Sequence, residues 1–239
     1  MREILQTGFD RMGLLWDEEK IQRLEKYAEL LREWNEKMNL TAITDMEGIA
    51  VKHFLDSAAA LTTGKINGKV IDVGTGAGFP GVVLKIMKPE IELTLLDSLN
   101  KRLVFLKEVL DTLGIDDVEL VHSRAEDGAH KKGYRESYDV AVSRAVAALP
   151  LLSELCLGYV KPGGRLIALK GPSVTEEAED AKRAIHILGG EIEKIEDADV
   201  PGSDMEHKII HIKKVRHTPM KFPRKPALIT KSPIETCYK

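Results

Sequence analysis

The chain has 239 residues, a formal net charge of -3 at pH 7 and two cysteines, Cys156 and Cys237. This length suits one α/β domain with an extension, and two cysteines are too few for a disulfide framework, which indicates a reducing, cytoplasmic setting. No stretch has the apolar length of a signal peptide or of a membrane span, so we expect a soluble protein without a membrane partner.

The first predicted segment, residues 1–62, is an N-terminal helical extension. Ile21, Leu24 and Ala28 recur at spacings of three and four residues, as they do on one face of a helix. Asp17, just before this pattern, suits the N-cap position of that helix.

The second predicted segment, residues 63–215, alternates strands and helices and therefore predicts an α/β fold with a doubly wound, mostly parallel sheet. Strands are expected near 70–73, 92–97, 117–121, 138–143, 164–170, 191–198 and 207–213, and helices near 80–88, 100–113, 149–159 and 174–188. The last two strands are separated only by turn residues around Pro201-Gly202, so they should pair antiparallel and leave a reversed C-terminal strand. The third segment, residues 216–239, is a basic tail with four prolines and is predicted to be irregular.

A glycine-rich loop follows the first predicted strand of the second segment. Residues 70–81 have the sequence VIDVGTGAGFPG, an apolar run that breaks into glycines. Gly74, Gly76 and Gly78 allow a tight turn whose backbone can approach a ligand. Asp97 lies 23 residues after Gly74, at the end of the next strand, where an acid can accept hydrogen bonds from ribose hydroxyls. Strand, loop and acid together predict a nucleotide-type cofactor site.

The loop pattern fits two cofactors. Residues 76–81 match the G-x-G-x-x-G fingerprint of NAD-dependent oxidoreductases. The strand ends near Val73, however, which places Asp72 just before the turn, as in class I methyltransferases. A carboxylate there would repel a pyrophosphate but attract the sulfonium and ammonium groups of S-adenosyl-L-methionine. We therefore expect S-adenosylmethionine, with an NAD-dependent oxidoreductase as the alternative.

Several short sequences, taken together, resemble one family. They are Trp34-Asn35 with Asn39-Leu40-Thr41, His53-Phe54-Leu55-Asp56-Ser57, the glycine loop, Leu95-Leu96-Asp97-Ser98 with Lys101-Arg102, Ser143-Arg144-Ala145, Ala168-Leu169-Lys170-Gly171 and Phe222-Pro223-Arg224-Lys225-Pro226. In this order and spacing they resemble the bacterial small-subunit ribosomal RNA guanine-N7 methyltransferases, also called glucose-inhibited division protein B. The resemblance implies the class I fold, bound S-adenosylmethionine and methylation of N7 of one guanine in 16S rRNA, nucleotide 527 in the usual rRNA numbering.

The cofactor-binding residues are expected at the ends of the first four strands. By resemblance, Gly74 lets the backbone approach the methionine end of the cofactor and Phe79 covers it, unless this phenylalanine is simply part of the core. Asp97 is the expected ribose acceptor, with a solvated helix cap as the alternative, and Ser98 either assists or caps the next helix. The full predicted set is Gly74, Gly76, Gly78, Phe79, Asp97, Ser98, Ala125, Glu126 and Arg144.

Adenine is expected to lie beside the loop after the third strand. There the backbone N–H of Ala125 can donate to the ring and the carboxylate of Glu126 can accept from the amino group. A solvated acidic loop is the alternative for these two residues.

Arg144 ends the fourth predicted strand and is the expected substrate-positioning residue. It can bind a phosphate or donate to guanine O6, and a structural ion pair with Asp72 or Asp97 is the alternative. Guanine N7 is a lone pair without a proton, so no general base is expected. By resemblance alone, His53 and Asn39 also matter, or they form buried hydrogen bonds. The seven histidines lack metal-ligand spacing, so we expect no metal.

An RNA partner requires a basic surface, although the whole chain is slightly acidic. Residues 208–231 contain eight Lys or Arg and no acid, and their prolines are expected to keep the tail extended. The predicted RNA contacts, with ordinary solvated side chains as the alternative, are Lys101, Arg102, Arg124, Lys170, Lys221, Arg224 and Lys225. We expect a monomer that acts on 16S ribosomal RNA or the small ribosomal subunit. A non-catalytic RNA-binding module is the second alternative function.

Overall fold

A seven-stranded sheet forms the centre of the protein in the computed structural model, which describes residues 1–144, 147–204, 206–232 and 234. Ala145, from one of the short sequences above, and Cys237 lie outside these residues. The strands are β1 (Lys69–Val73), β2 (Glu92–Asp97), β3 (Val118–His122), β4 (Tyr138–Arg144), β5 (Val160–Lys170), β6 (Gly190–Ala198) and β7 (His207–Lys214). Their order in the sheet is β3-β2-β1-β4-β5-β7-β6.

Strand directions follow the prediction. The strands β1 to β5 pair in parallel, whereas β7 pairs antiparallel with both β5 and β6. Among the described residues no helix lies between β6 and β7, and the chain reverses there, as the sequence around Pro201-Gly202 predicts. The predicted doubly wound sheet with one reversed C-terminal strand is therefore confirmed.

Helices cover both faces of the sheet. They are α1 (Arg2–Met12), α2 (Glu18–Met38), α3 (Met46–Gly48), a π-helical segment (Ile49–Leu55), α4 (Asp56–Thr62), α5 (Gly81–Met87), α6 (Asn100–Leu113), α7 (Ala125–Gly128), α8 (Leu149–Cys156), α9 (Val174–Ile187) and α10 (Pro226–Lys231). Each of those in the described residues is too short or too polar to cross a membrane.

The hydrophobic core of the described part of the chain consists of two clusters, one on each face of the sheet. Successive strand residues face opposite sides of a sheet, so Val70 and Ile71 of β1 enter different clusters. The cluster of Val70 also contains the buried side chains of α1, α2, α5 and α6, and the cluster of Ile71 contains those of α8 and α9. Because the N-terminal helices share a core with the sheet, they hold residues of the π-helical segment against the carboxyl ends of the strands.

The C-terminal tail differs from its prediction. Its prolines do not keep it extended throughout, because Pro226 starts the helix α10, a position where proline costs no hydrogen bond. The tail is also bound to the domain: Arg135 donates to the carbonyl oxygens of Thr218 and Phe222 at 2.8 and 3.0 Å. Since β7 runs antiparallel to β5, the tail begins at the amino ends of the parallel strands, on the side of the sheet opposite the cleft.

Candidate active site

A cleft of about 970 Å³ lies at the carboxyl ends of the parallel strands, where open α/β sheets bind their ligands. One half of its wall comes from the glycine loop and the ends of β2 and β3, and the other half from the N-terminal helices, β4, β5 and the start of β7. Its lining includes the predicted residues Gly74, Gly76, Phe79, Asp97, Ser98, Arg102, Arg124, Ala125, Glu126, Arg144 and Lys170. The volume is in the range of sites for cofactors and small molecules.

The glycine loop has the backbone that its sequence predicts. Gly74, Gly76 and Gly78 all have positive φ, at 75°, 60° and 98°, where other residues are strained. A Cβ atom at Gly78 would lie 2.4 Å from the Tyr27 hydroxyl oxygen, so this glycine also makes room for α2. Gly78 is thus needed for packing beneath the loop and, unlike Gly74 and Gly76, is not part of the cleft wall.

Asp72 does not face the cleft, which corrects the electrostatic argument used to choose the cofactor. Its side chain is fully buried, and one carboxylate oxygen accepts from the Thr75 hydroxyl at 2.7 Å and from the Gly81 N–H at 2.9 Å. Burial raises the pKa of Asp72 to about 6, although these two hydrogen bonds partly offset the effect. Its observed role is to join both ends of the glycine loop.

Asp97 joins the glycine loop to the end of β2. One oxygen accepts from the Gly76 N–H at 2.9 Å and from Arg102 at 3.2 Å, and the other accepts from the Leu99 N–H at 2.8 Å. The side chain is only 2% exposed, so it is not a solvated cap. A carboxylate has about four acceptor positions, and three are used. Asp97 can therefore accept one further ribose hydroxyl while these contacts persist.

Phe79 is both part of the core and part of the cleft wall. Its ring stacks on His53 with centroids 4.5 Å apart and on Tyr27 with centroids 5.4 Å apart. The Tyr27 hydroxyl donates to the carbonyl oxygen of Ala77, within the glycine loop. Helix α2 thus supports the loop from below, a contact that the sequence did not predict.

Ala125 and Glu126 begin the short helix α7 and line the cleft. The first N–H groups of a helix have no acceptor within it, so the Ala125 N–H is suited to a ligand. Glu126 is 8% exposed and lies 3.4 Å from Arg124, which excludes a freely solvated loop. Ser98 also lines the cleft. It does not cap α6, because Leu99 occupies the N-cap position and no side chain caps that helix.

Arg144 binds the π-helical segment and α4 across the cleft. It donates to the Lys52 carbonyl oxygen at 2.9 Å and to Asp56 at 2.8 Å, and it lies 3.2 Å from Nδ1 of His53. The structural partner is thus Asp56, not Asp72 or Asp97. A guanidinium has five N–H donors, and these contacts use three, so two remain for a substrate.

His53 is buried and neutral. Burial and the charge of Arg144 lower the pKa of His53 to about 4. Nδ1 lies 3.2 Å from the Arg144 guanidinium and 3.2 Å from the Lys52 carbonyl oxygen, and Nε2 lies 2.8 Å from the Thr41 hydroxyl, so both ring nitrogens are engaged. Asn39, by contrast, caps the end of α2 with φ 49° and does not line the cleft.

Asp56 connects Arg144 to the reversed strand. Its second oxygen lies 2.8 Å from Nδ1 of His207, and Nε2 of His207 lies 2.8 Å from the Ser203 hydroxyl. Burial alone would raise the pKa of Asp56, but the hydrogen bond from His207 and the charge of Arg144 lower it overall. The α4 carboxylate is therefore ionised and holds β4 and β7 together at the cleft.

Two predicted RNA contacts are held in ion pairs inside the protein. Lys170 is 8% exposed and donates to Glu177 at 2.7 Å, so it is not a solvated lysine. Arg224 binds Glu154 through two nitrogen atoms, at 2.8 and 2.7 Å, and Glu154 is 1% exposed. The charges of these two residues are already compensated, which disfavours them as phosphate contacts.

The other predicted RNA contacts are accessible. Lys101, Arg124, Lys221 and Lys225 are exposed, and Arg102 is partly exposed beside Asp97. Of these, Arg102 and Arg124 line the cleft. Lys221 and Lys225 belong to the tail, which begins on the side of the sheet opposite the cleft.

Several cleft residues were missed by the sequence reasoning. Lys52, Asp56, Glu206 and His207 line the cleft together with Arg144. Of these four, only Asp56 belongs to one of the short sequences that resemble the family. The described residues contain no cluster of three possible metal ligands.

Among solved structures, the fold resembles geranyl diphosphate C-methyltransferase from Streptomyces coelicolor A3(2), determined in complex with Mg²⁺, geranyl diphosphate and S-adenosyl-L-homocysteine. The TM-score is 0.51 and the identity 13%, over 79% of this chain and 98% of that chain. At this identity the likeness concerns the fold alone, and it supports the predicted class I methyltransferase architecture.

Sequence comparisons identify the family. The family GidB, described as rRNA small subunit methyltransferase G, matches residues 20–205. Ribosomal RNA small subunit methyltransferase G of Clostridium perfringens (strain 13 / Type A) is 48% identical over 98% of both chains. The protein of the same name from Alkaliphilus oremlandii (strain OhILAs) is 51% identical over 98% of this chain and 99% of its own. These matches also confirm S-adenosylmethionine as the predicted cofactor. The chain therefore belongs to the rRNA small subunit methyltransferase G family, as its short sequences predict.

Proposed function

We propose that this protein transfers a methyl group from S-adenosylmethionine to N7 of a guanine in the 16S rRNA of the small ribosomal subunit, and that it acts as a monomer. By the resemblance described above, the target is nucleotide 527. Family membership supports the reaction on small-subunit rRNA. The choice of N7 depends on the chemistry of the cleft.

The observation that carries this choice is that both histidines of the cleft are fully engaged. His53 is neutral and uses one ring nitrogen for Arg144 and the other for Thr41. His207 is held by Asp56 and Ser203. Neither imidazole is free to remove a proton from a substrate. Guanine N7 has no proton to lose, so alignment suffices for its methylation.

The residues of this chain would position the two reactants. Bound S-adenosylmethionine would supply an electrophilic methyl group, and the electron pair of the broken S–CH₃ bond would stay on the sulfur. The glycine loop, Asp97, Ala125 and Glu126 would hold the cofactor on one side of the cleft. Arg144 would direct its two remaining N–H donors to guanine O6 or to a phosphate on the other side. N7 would then face the methyl group, and its lone pair would form the new bond.

Exposed basic residues around the cleft would bind the RNA backbone. Arg124 and Arg102 line the cofactor half, the exposed Lys101 is the chain neighbour of Arg102, and Lys52 lines the opposite half. Cations on both sides of a cleft attract the phosphates that flank a target base. Lys221 and Lys225 are proposed as further contacts with a more distant part of the RNA.

The proposal is tested by identifying the methylated nucleoside. Small subunits from cells that lack the protein are incubated with purified protein and labelled S-adenosylmethionine, and the rRNA is digested to nucleosides. We expect the label in 7-methylguanosine. Label in a guanosine methylated at N1 or N2 or on the ribose would contradict the choice of N7, and lack of transfer to any small-subunit substrate would contradict the reaction.

A further inference from the structure

Among the described residues, four carboxylates line the cleft, and Glu206 differs from the other three. Asp56 uses one oxygen for Arg144 and the other for His207, Asp97 is bound within the glycine loop, and Glu126 lies beside Arg124. Glu206 is exposed and forms no hydrogen bond or ion pair within the part of the chain that the structure describes, and its charge acts only at longer range on Lys208. Its carboxylate is thus available for a ligand.

Glu206 lies in the substrate half of the cleft. It immediately precedes His207, the first residue of β7, which Asp56 and Ser203 fix in place. Lys208 pairs with Lys170, so Glu206 is near the carboxyl end of β5. The sheet order places β1 and β2 on one side of β4 and β7 on the other. Arg144, at the end of β4, therefore separates Glu206 from the cofactor side.

The edges of guanine match this arrangement. N7 and O6 lie together on one edge of the base, whereas the N1–H and N2–H donors lie on the other side of O6. With N7 directed at the glycine loop and O6 at Arg144, the two donors face β7. A carboxylate accepts both N–H groups, whereas adenine presents an acceptor at N1 that a carboxylate would repel.

We propose that Glu206 is the specificity-determining residue that accepts hydrogen bonds from N1–H and N2–H of the target guanine. This inference rests on the proposed function, because N7 must be the methylated atom for the other edge to face Glu206. The carboxylate would also stabilise the product. When the methyl group leaves the sulfonium and bonds to N7, the positive charge passes to the base, and a fixed negative charge at the opposite edge favours that change.

The test combines a protein change with a base change. Small subunits are assembled with inosine in place of the target guanine, which removes only the N2 amino group. Wild type, Glu206→Ala and Glu206→Gln are compared on both substrates by kcat/KM. Asp204→Asn is the matched control, since Asp204 is an exposed acid of the same loop that does not line the cleft. Calorimetry measures the affinity of each variant for S-adenosylmethionine.

We expect inosine to lower kcat/KM of the wild type and of Asp204→Asn by roughly tenfold or more, as for a lost hydrogen bond to a charged group. The same loss is expected for Glu206→Ala on guanine, with cofactor affinity unchanged. In Glu206→Ala, replacing guanine by inosine should lower kcat/KM several-fold less than it does in the wild type, because the partner of the amino group is already absent. An equal inosine penalty in wild type and Glu206→Ala would overturn the role of Glu206 while leaving the proposed function intact. A wild-type product other than 7-methylguanosine would instead overturn the proposed function itself.

Discussion

Buried titratable groups near the glycine loop link the pH to the stability of the site. The pKa of His53 is lowered from 6.5 to about 4, so the unfolded chain takes up this proton at a higher pH than the folded protein. The associated stability is present above pH 6.5 and is lost as the pH falls towards 4. The pKa of Asp72 is raised to about 6, so its contribution has the opposite sign.

The variant His53→Gln isolates the histidine contribution. Asp72 is present in both proteins and cancels when their free energies of unfolding are compared. We expect the stability of wild type relative to the variant to fall by about 2 kcal/mol between pH 7.5 and pH 4.5. Urea unfolding at both pH values measures this difference. A difference that does not change with pH would show that His53 titrates normally in the folded protein.

Arg144 is expected to act mainly on the chemical step. We expect its two remaining N–H donors to position the base, and a lysine cannot replace its contacts with Asp56, the Lys52 carbonyl and His53 together. Arg144→Ala and Arg144→Lys should each lower kcat at least tenfold, with a much smaller change in the affinity for S-adenosylmethionine. Circular dichroism checks the fold. Wild-type turnover in Arg144→Ala would assign the arginine a purely structural role.

At the scale of single elements, helix α2 supports the cofactor loop. Removing the Tyr27 hydroxyl leaves the carbonyl of Ala77 without its buried donor, which should cost about 1–3 kcal/mol of stability and loosen the loop. We expect Tyr27→Phe to weaken S-adenosylmethionine binding in calorimetry. Tyr134→Phe is the control, because that hydroxyl binds Glu119 at the surface. Equal cofactor affinities in both variants would contradict the supporting role of α2.

Of the three tail residues predicted to contact RNA, Arg224 is structural, whereas Lys221 and Lys225 are accessible. Arg224→Ala leaves Glu154 buried and unpaired, so it should lower the free energy of unfolding by about 3–5 kcal/mol. Lys221 and Lys225 are exposed, and neutralising both should leave stability unchanged. If the proposed RNA contacts form, the double variant flattens the slope of log affinity against log salt by up to about 2. Parallel slopes would show that these lysines do not contact phosphate.

Elements were easier to predict than the contacts between them. The glycine loop and the strands on either side of it carry local signals: glycines where φ is positive, and apolar runs that end at Asp97. The partners of Arg144 carry none, since Asp56 and His53 are 88 and 91 residues away in the chain. Only the fold brings them together. The same is true of the buried pair between Arg224 and Glu154, which a count of basic residues does not reveal.

For the molecule as a whole, a net negative charge is compatible with an RNA substrate, because the basic residues are not all paired with acids. Some are bound within the protein, and others remain exposed beside the cleft. Lys208, Lys214 and Arg224 of residues 208–231 are bound by acids or carbonyls of the domain, whereas Lys52 and Arg124 remain exposed in the cleft wall. The segment boundaries at residues 62 and 215 stay a proposal, although helices from residues 1–62 share a core with the sheet. RNA binding beside the target base and methyl transfer are thus both expected to depend on the face of the protein that carries the cleft.

The most direct measurement of the central claim maps N7 methylation on 16S rRNA from cells with and without the protein. Reduction and strand cleavage at 7-methylguanosine reveal each modified position. We predict one cleavage, at nucleotide 527, that disappears when the protein is absent and returns with the wild type but not with Arg144→Ala. An identical cleavage pattern with and without the protein would contradict the account.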